Sequence, residues 1–222
     1  MYGRLLKPFL DRLLAFVLLI ALSPLFFLVG GVVWVTMGRP LLFCEKRGGL
    51  GGSSFTFWKF RSMTNDLDAQ GNLLPDENRL TNWGKWLRKT SLDELPQLWN
   101  ILKGEMSFIG PRPLAARYLA RYSPRQRRRH EQKPGLTGWA QVCGRNSLSW
   151  EEKFELDVWY VENISFGTDL KILVKTVGVL LGQKGIQSET SVTMEEFFPD
   201  SSQSFDEVDD TKGGVSGEEN GN

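Results

Sequence analysis

Residues 13 to 35 read LLAFVLLIALSPLFFLVGGVVWV, a stretch of 23 residues without a charged side chain. A helix of this length is long enough to cross a bilayer, so the stretch is predicted to be a membrane segment. Ser23-Pro24 lies at its centre, with 11 residues on each side. Because proline cannot donate a backbone hydrogen bond, we expect a break there, with the Ser23 hydroxyl satisfying a carbonyl of the preceding turn.

Two topologies remain open for this broken segment. Each half is about 16 Å long as a helix, whereas the hydrocarbon core is roughly 30 Å thick, so neither half crosses alone. Basic residues lie on both sides, with Arg4, Lys7 and Arg12 before the segment and Arg39, Lys46 and Arg47 after it. Positive charge at both ends indicates that both are cytoplasmic, which favours a re-entrant membrane helix over a kinked single span.

Charge is divided unevenly along the chain. Residues 189–222 contain ten acidic side chains and one basic side chain, and they are predicted to be a disordered tail. Residues 1–188 carry 26 basic and 16 acidic side chains, which indicates an anionic partner. Eight basic residues lie between Arg112 and Lys133 against one acid, Glu131. This basic run, by itself, suits a lipid-headgroup or nucleic-acid surface.

Cysteine and histidine contribute little to the candidate chemistry. Cys44 and Cys143 have no metal-ligand spacing and are interpreted as free thiols. His130 is the only histidine, which excludes Ser-His-Asp triads and multi-histidine metal sites. Carboxylates and basic side chains therefore remain as the candidates.

Two adjacent carboxylates, Asp93 and Glu94, stand at the predicted start of a helix. Ser91 and Glu94 have capping-box spacing. Pro96 is tolerated only in a first turn, so the regular helix either follows a Ser91 cap or begins nearer Leu95, after a tight lead-in. Both carboxylates lie near the positive end of the helix dipole, which favours phosphate or metal chemistry. Successive helical residues point about 100° apart, so we expect the two carboxylates to have different roles.

Basic side chains precede the two carboxylates. Residues 55 to 62 are predicted to form a strand, and its alternation puts Lys59 and Arg61 on one face. A short predicted helix across residues 83 to 87 leads into Arg88.

Further candidate donors follow the carboxylates. Pro111 and Pro113 fix the backbone on either side of Arg112, as a phosphate clamp requires. The glycine-punctuated loop 134–146 carries Gln141 and Arg145, and such a loop can approach a ligand closely.

Two more helices are predicted after this loop. Ser149 and Glu152 have capping-box spacing and open the first of them. Asp157 lies four residues after Lys153, so an ion pair within the helix accounts for it as well as a functional role does. Residues 170 to 181, LKILVKTVGVLL, suit an amphipathic helix in the membrane interface or a core helix.

These motifs, in this order, resemble those of the bacterial sugar transferases, in particular the small monotopic phosphoglycosyltransferases. The resemblance extends over about residues 1 to 188 and rests on the Ser23-Pro24 break, KFRSM at 59–63, LRKTSLDELPQ at 87–97, MSFIGPRP at 106–113, the loop at 134–145 and FELDV at 154–158. The chain is most similar to the compact enzymes of bacterial N-glycan assembly that use UDP-N,N'-diacetylbacillosamine. Cys143 departs from the asparagine common in that loop, and the acidic tail lies outside the family pattern.

The resemblance implies transfer of a phospho-sugar from a UDP-sugar to polyprenyl phosphate, with release of UMP, as the start of glycan or glycoprotein assembly. It implies that Asp93 forms a covalent phospho-sugar intermediate and contacts Mg2+, and that Glu94 assists activation of the lipid phosphate. The side chains expected to bind phosphate or nucleotide are Arg88, Arg112, Lys59, Arg145, Gln141 and Asp157.

The expected fold is α+β and predominantly helical, with a re-entrant membrane anchor at 1–40, a catalytic domain with interfacial helices and a small β element at 41–188, and the tail at 189–222. The resemblance implies the cytoplasmic face of the bacterial inner membrane. Its partners would be a UDP-sugar, polyprenyl phosphate, phospholipid and downstream glycosyltransferases, without nucleic acid. The alternative is a membrane-tethered scaffold that binds nucleic acid or anionic lipid through the basic run and gives Asp93 no role.

Overall fold

The computed structural model describes residues 1–144, 147–182 and 196–198. Within these ranges helices predominate and the strands form two small sheets, which confirms the predicted α+β class. The helices are α1 (Lys7–Ala21), α2 (Ser23–Met37), α3 (Asp76–Arg79), α4 (Asn82–Thr90), α5 (Gln97–Lys103), α6 (Pro124–Arg127), α7 (Trp139–Cys143), α8 (Trp150–Glu162) and α9 (Phe166–Gly182). The strands are β1 (Leu42–Gly48), β2 (Ser54–Phe60), β3 (Ser107–Ile109) and β4 (Gly135–Thr137).

The apolar N-terminal segment is broken where the sequence predicts. The helical stretches Tyr2–Ala21 and Ser23–Met37 meet at a bend of 65°. The Ser23 hydroxyl donates a 2.8 Å hydrogen bond to the Ile20 carbonyl, which confirms its predicted role. No single helix among the described residues is long and apolar enough to cross a bilayer, whereas this bent pair meets those criteria together. The re-entrant topology stays a prediction.

The two halves of the broken helix pack against different parts of the domain. Ala15 of α1 is buried with Phe57 and with residues of α5. Val33 of α2 is buried in a second cluster, with residues of β2 and α4. Leu95 packs against both clusters, so the segment that carries Asp93 and Glu94 lies beside the bend.

The first sheet is an antiparallel hairpin of β1 and β2, closed by a tight turn around Leu50–Gly52. The sequence predicted β2 but not β1. The predicted strand 55 to 62 is also too long at its end, because β2 ends at Phe60. Arg61 lies beyond the strand and is buried, and its guanidinium donates to the Met37 carbonyl at the end of α2.

The second sheet pairs β3 and β4 in parallel, and the sequence did not predict it. Its backbones approach closely next to Gly110 and Gly135. A Cβ on Gly135 would lie 2.1 Å from the Gly110 nitrogen, so a larger residue does not fit there. This sheet places the segment that carries Arg112 against the loop that begins at Pro134.

The last two helices both form, although α9 begins at Phe166, four residues before its predicted start. Ser149 and Glu152 exchange both hydrogen bonds of a capping box at the start of α8. The helix α9 extends over Phe166–Gly182, and its Asp169 and Ile172 are buried. Except for Glu196–Phe198, the predicted disordered tail lies outside the described residues.

Candidate active site

The two adjacent carboxylates lie on a tight turn between α4 and α5. Ser91 has φ 56° and ψ 18°, the left-handed conformation, and its N–H bonds to the Arg88 carbonyl as the C-terminal cap of α4. The predicted capping box is therefore wrong, because Ser91 ends one helix and its side chain makes no cap for the next. The alternative, a tight lead-in, is confirmed by the 3-10 turn Leu92–Glu94 and by the start of α5 at Gln97.

Asp93 is buried, with 6% of its surface exposed. Burial, and then the neighbouring charge of Glu94, raise the pKa of Asp93 to about 6, although Lys59, Arg88 and Arg112 act in the opposite direction. No hydrogen bond to the Asp93 carboxylate is formed by any group in the described parts of the chain. Asp93 therefore remains ionised at pH 7, poorly solvated and faced by cations, and these properties favour a nucleophile.

Glu94 has a different environment from Asp93. Its Oε1 accepts a hydrogen bond from Arg112 Nη2 at 3.1 Å, and this contact raises the pKa of the Arg112 guanidinium. The Arg112 side chain is 47% exposed, so its remaining donors can reach a ligand. The two carboxylates thus differ in burial and in partners, and the different roles expected from the sequence stay a prediction.

The charges of Arg88 and Lys59 also act on Asp93. Arg88 Nε donates a 3.0 Å hydrogen bond to the Ser62 hydroxyl, which fixes the direction of the guanidinium. Burial and then the charge of Arg88 lower the pKa of Lys59, while Asp93 acts to raise it. The structure therefore brings together five of the predicted site residues: Lys59, Arg88, Asp93, Glu94 and Arg112.

Arg47 belongs to the same cluster, although the sequence analysis used it only as a charge flanking the membrane segment. Its Nη1 donates to the Pro113 carbonyl at 2.6 Å and its Nε to Glu45 at 3.0 Å. Burial is the main cause that lowers the pKa of Arg47, and the nearby Arg112 lowers it further. The signal that could have found it is the run of strand-forming residues before the glycine turn, which predicts a hairpin.

The other predicted donors lie in different surroundings. Asp157 is buried in an ion pair with Arg129, with 2.6 Å between Oδ2 and Nη2. Arg129 Nη2 also donates to the Arg112 carbonyl at 2.7 Å, so Arg129 links Asp157 to the cluster. Gln141 lies in α7 and not in a loop as predicted, and its Nε2 donates to the Leu136 carbonyl of β4 at 3.2 Å. Arg145 lies outside the described residues.

The donor set fits a Mg2+ ion only in combination with a substrate. No group of three or more His, Cys, Asp or Glu side chains suitable for a metal is found in the described ranges. Mg2+ in phosphoryl-transfer sites is bound by one or two carboxylates together with substrate phosphates. Asp93, with Glu94 beside it, supplies carboxylates of this kind.

Comparison with known proteins identifies the family to which this chain belongs. The chain matches the family model described as bacterial sugar transferase over residues 2–183, and it belongs to this family. It is 53% identical over 193 residues to the uncharacterized sugar transferase EpsL of Bacillus subtilis (strain 168), a match that covers 87% of this chain and 96% of that protein.

Two longer relatives have names that specify a reaction. The chain is 38% identical over 190 residues to the UDP-glucose:undecaprenyl-phosphate glucose-1-phosphate transferase of Xanthomonas campestris pv. campestris, covering 80% of this chain and 39% of that protein. It is 37% identical over 203 residues to the undecaprenyl-phosphate galactose phosphotransferase of Salmonella typhimurium, covering 82% and 42%. The chain thus spans about two fifths of the length of these two relatives.

Proposed function

We propose that this chain transfers a phospho-sugar from a UDP-sugar to polyprenyl phosphate and releases UMP, through a covalent intermediate on Asp93. The observation that carries the proposal is a buried carboxylate, free of hydrogen bonds from the described residues, that faces Lys59, Arg88 and Arg112. Membership of the sugar transferase family supports the reaction class.

In the first step the Asp93 carboxylate oxygen attacks the sugar-bearing phosphorus of the UDP-sugar. A phosphorus–oxygen bond to UMP breaks, and UMP leaves with the bonding electron pair. The nucleophile and the diphosphate are both anionic, so the attack needs fixed positive charge. Arg88, Lys59 and Arg112 supply that charge, and Ser62 holds Arg88 in place.

In the second step a phosphate oxygen of the polyprenyl phosphate attacks the same phosphorus. The bond to Asp93 breaks, and the products are polyprenyl-diphospho-sugar and the free carboxylate. In this proposal Glu94, which accepts a hydrogen bond from Arg112, assists activation of the lipid phosphate. In this proposal a Mg2+ held by Asp93 and the substrate diphosphate would neutralise the developing charge.

The proposed location is the cytoplasmic face of the bacterial inner membrane, where the lipid phosphate lies at the headgroup level. Large apolar side chains are exposed on α1, α2 and α9, and a membrane would cover them. They include Phe9, Leu13, Phe16, Ile20, Phe27, Leu28, Trp34, Phe166, Leu170, Leu173 and Val177.

For the donor, the resemblance favours UDP-N,N'-diacetylbacillosamine or a related N-acetylated sugar. The names of the two long relatives mention UDP-glucose and galactose, so UDP-glucose and UDP-galactose are added to the donors to be tested. Release of UMP from a panel of these donors, with polyprenyl phosphate and Mg2+ present, identifies the substrate. No release with any of them would contradict the proposed reaction.

Mass spectrometry of the enzyme mixed with its UDP-sugar alone tests the intermediate. We expect a phospho-sugar adduct on Asp93. The Glu94→Gln variant should still form the adduct and should transfer it slowly to the lipid. An adduct on another residue, or transfer by Asp93→Asn at the wild-type rate, would refute the assignment.

The scaffold alternative loses support from the way the basic run is paired. Six of its eight basic residues form ion pairs with acidic side chains of this chain: Arg112, Arg117, Arg121, Arg125, Arg128 and Arg129. Charges paired in this way are less available to nucleic acid or lipid phosphates than a row of free cations.

A further inference from the structure

Four aromatic rings from the segment after Arg112 and from α8 surround a pocket, here called the aromatic pocket: Tyr118, Tyr122, Trp150 and Phe154. The side chain of Phe197 fills it and is only 1% exposed. Its ring centroid lies 5.8, 6.0, 5.5 and 5.0 Å from those of the four rings, in the order named. Phe197 lies outside residues 2–183, the part of the chain that matches the family.

The backbone and charge of the docked segment are also bound. The Phe197 carbonyl accepts a 2.5 Å hydrogen bond from Arg121 Nη1, and its N–H donates to the Tyr118 hydroxyl at 3.4 Å. Glu196 Oε1 accepts from Arg117 Nε and from Arg121 Nη1, each at 3.0 Å.

Recognition of an anchor side chain, a charge and the main chain together is typical of sites for short peptides. We propose that the aromatic pocket, with Arg117 and Arg121 at its rim, is a binding site for an acid–phenylalanine peptide, and that Glu196-Phe197 of the C-terminal tail occupies it in cis. Glu196-Phe197 belongs to the acidic tail at 189–222, and the arginines that bind it belong to the basic run between Arg112 and Lys133.

The aromatic pocket is connected to the candidate active site through Arg129. Arg129 lies on the inner side of the pocket, with its Cζ 5.4 Å from the centre of the Phe154 ring. Its Nη1 donates to the Tyr122 hydroxyl at 3.2 Å, and its Nη2 donates to the Arg112 carbonyl. A filled pocket therefore packs against the residue that supports the backbone of Arg112.

Peptide binding to the full-length protein in detergent tests the site without any use of catalysis. The probe is a fluorescein-labelled peptide of residues 193–199, TMEEFFP, and the readout is fluorescence anisotropy. The Phe197→Ala protein should bind it at least about tenfold more tightly than the wild type, because the wild-type tail competes for the pocket. Phe198→Ala is the comparison variant: Phe198 is 66% exposed and its ring centre lies 4.7 Å from the guanidinium carbon of Arg121 at the rim, so this change should affect peptide binding far less than Phe197→Ala does.

Substitutions in the peptide test which of its side chains the pocket recognises. Phe197→Ala in the peptide should weaken binding by at least about tenfold, as loss of an anchor residue does. Adding Arg121→Glu to the Phe197→Ala protein reverses the charge that binds Glu196 of the peptide. A peptide that carries Glu196→Arg should regain affinity for this doubly changed protein. Equal binding of the unaltered and the Phe197→Ala peptides would overturn the proposal.

Circular dichroism establishes that each variant is folded. If Phe197→Ala does not fold, Glu196→Arg replaces it, because Glu196 is exposed and its ion pairs with Arg117 and Arg121 lie at the rim of the pocket. Absence of peptide binding by a folded variant would overturn the site. A wild-type dimer that Phe197→Ala abolishes would show that the tail binds a second copy, and would overturn the cis assignment.

Discussion

Lys7 and Asp169, 162 residues apart in sequence, form a buried ion pair with 2.6 Å between Nζ and Oδ2. The same carboxylate accepts hydrogen bonds from the hydroxyls of Tyr2, at 2.7 Å, and Tyr160, at 2.8 Å. This cluster joins the start of the broken apolar helix to α9. Two elements that each expose large apolar side chains are thus held together by buried charge.

Asp169→Ala is expected to lower the free energy of unfolding by about 3–5 kcal/mol, because it leaves the Lys7 ammonium buried without a counter-ion. Thermal unfolding in detergent measures the effect, with the exposed Glu151→Ala on α8 as control. The double variant Lys7→Met/Asp169→Leu should recover part of the loss, since it removes both charges. An Asp169→Ala protein as stable as the control would show that the ion pair contributes nothing.

Asp93→Asn is expected to abolish turnover and also to stabilise the protein. Burial raises the pKa of Asp93 from 3.8 to about 6, and this difference corresponds to a cost of about 3 kcal/mol for keeping the carboxylate ionised at pH 7. Burial also raises the pKa of Asp157, but Asp157→Asn should destabilise the protein, because it leaves the buried Arg129 guanidinium without its counter-ion. Chemical unfolding at pH 7 compares the two variants.

The pH dependence of the Asp93→Asn stabilisation has a definite sign. Because the folded-state pKa of Asp93 is raised, its contribution to wild-type stability is present below pH 3.8 and is lost as the pH rises through about 6. The stability difference between Asp93→Asn and the wild type should therefore grow between these pH values. A difference that shrinks as the pH rises would contradict the burial of an unpaired carboxylate.

The pH profile of kcat/KM should show an acidic limb near pH 6, because only ionised Asp93 attacks phosphorus. Arg88→Gln should move this limb to higher pH, since the positive charge of Arg88 lowers the pKa of Asp93. Steady-state UMP release between pH 5 and 8 measures the shift of the limb. The shift can be read from the shape of the profile even if Arg88→Gln lowers the absolute rate. If the acidic limb of the Arg88→Gln profile lies at the same pH as in the wild type, the group that titrates there is not Asp93.

Gly84→Ala tests how α4 positions Arg88. A Cβ at Gly84 would lie 1.9 Å from the Ser62 carbonyl oxygen, and Ser62 holds the Arg88 guanidinium. We expect a loss of about 1–3 kcal/mol in stability from the overpacked contact, together with reduced turnover. Gly178→Ala on α9 is the matched control, since a Cβ there meets nothing within 4 Å. Alanine should stabilise that helix by about 0.5–1 kcal/mol. Equal effects of Gly84→Ala and Gly178→Ala on stability and turnover would show that the close contact between Gly84 and the Ser62 carbonyl does not matter.

The features predicted correctly from the sequence are those with local causes. The break at Ser23-Pro24 follows from one missing N–H, and the start of α8 follows from two residues three apart. Ser91 was misread because serine has no preference for the left-handed conformation, which here is imposed by the turn between two helices.

Non-local pairings could not be predicted in the same way. The strands β3 and β4 have three residues each and lie far apart in sequence, so neither carries a periodic signal. Arg129 was counted only as one charge in the basic run, whereas its partner Asp157 lies 28 residues away. Lys59, Arg88 and Arg112 were found because each lies beside a recognisable motif, but their convergence on Asp93 appears only in three dimensions.

The burial of Asp93 also makes it chemically distinguishable from the exposed carboxylates of the protein. With its pKa near 6, about half of the Asp93 side chains are neutral at pH 6, whereas an ordinary surface aspartate is about 1% neutral there. Diazo reagents esterify the neutral acid, so mildly acidic labelling should mark Asp93 ahead of exposed aspartates. A UDP-sugar should protect it, which offers a way to count substrate-accessible sites in intact membranes.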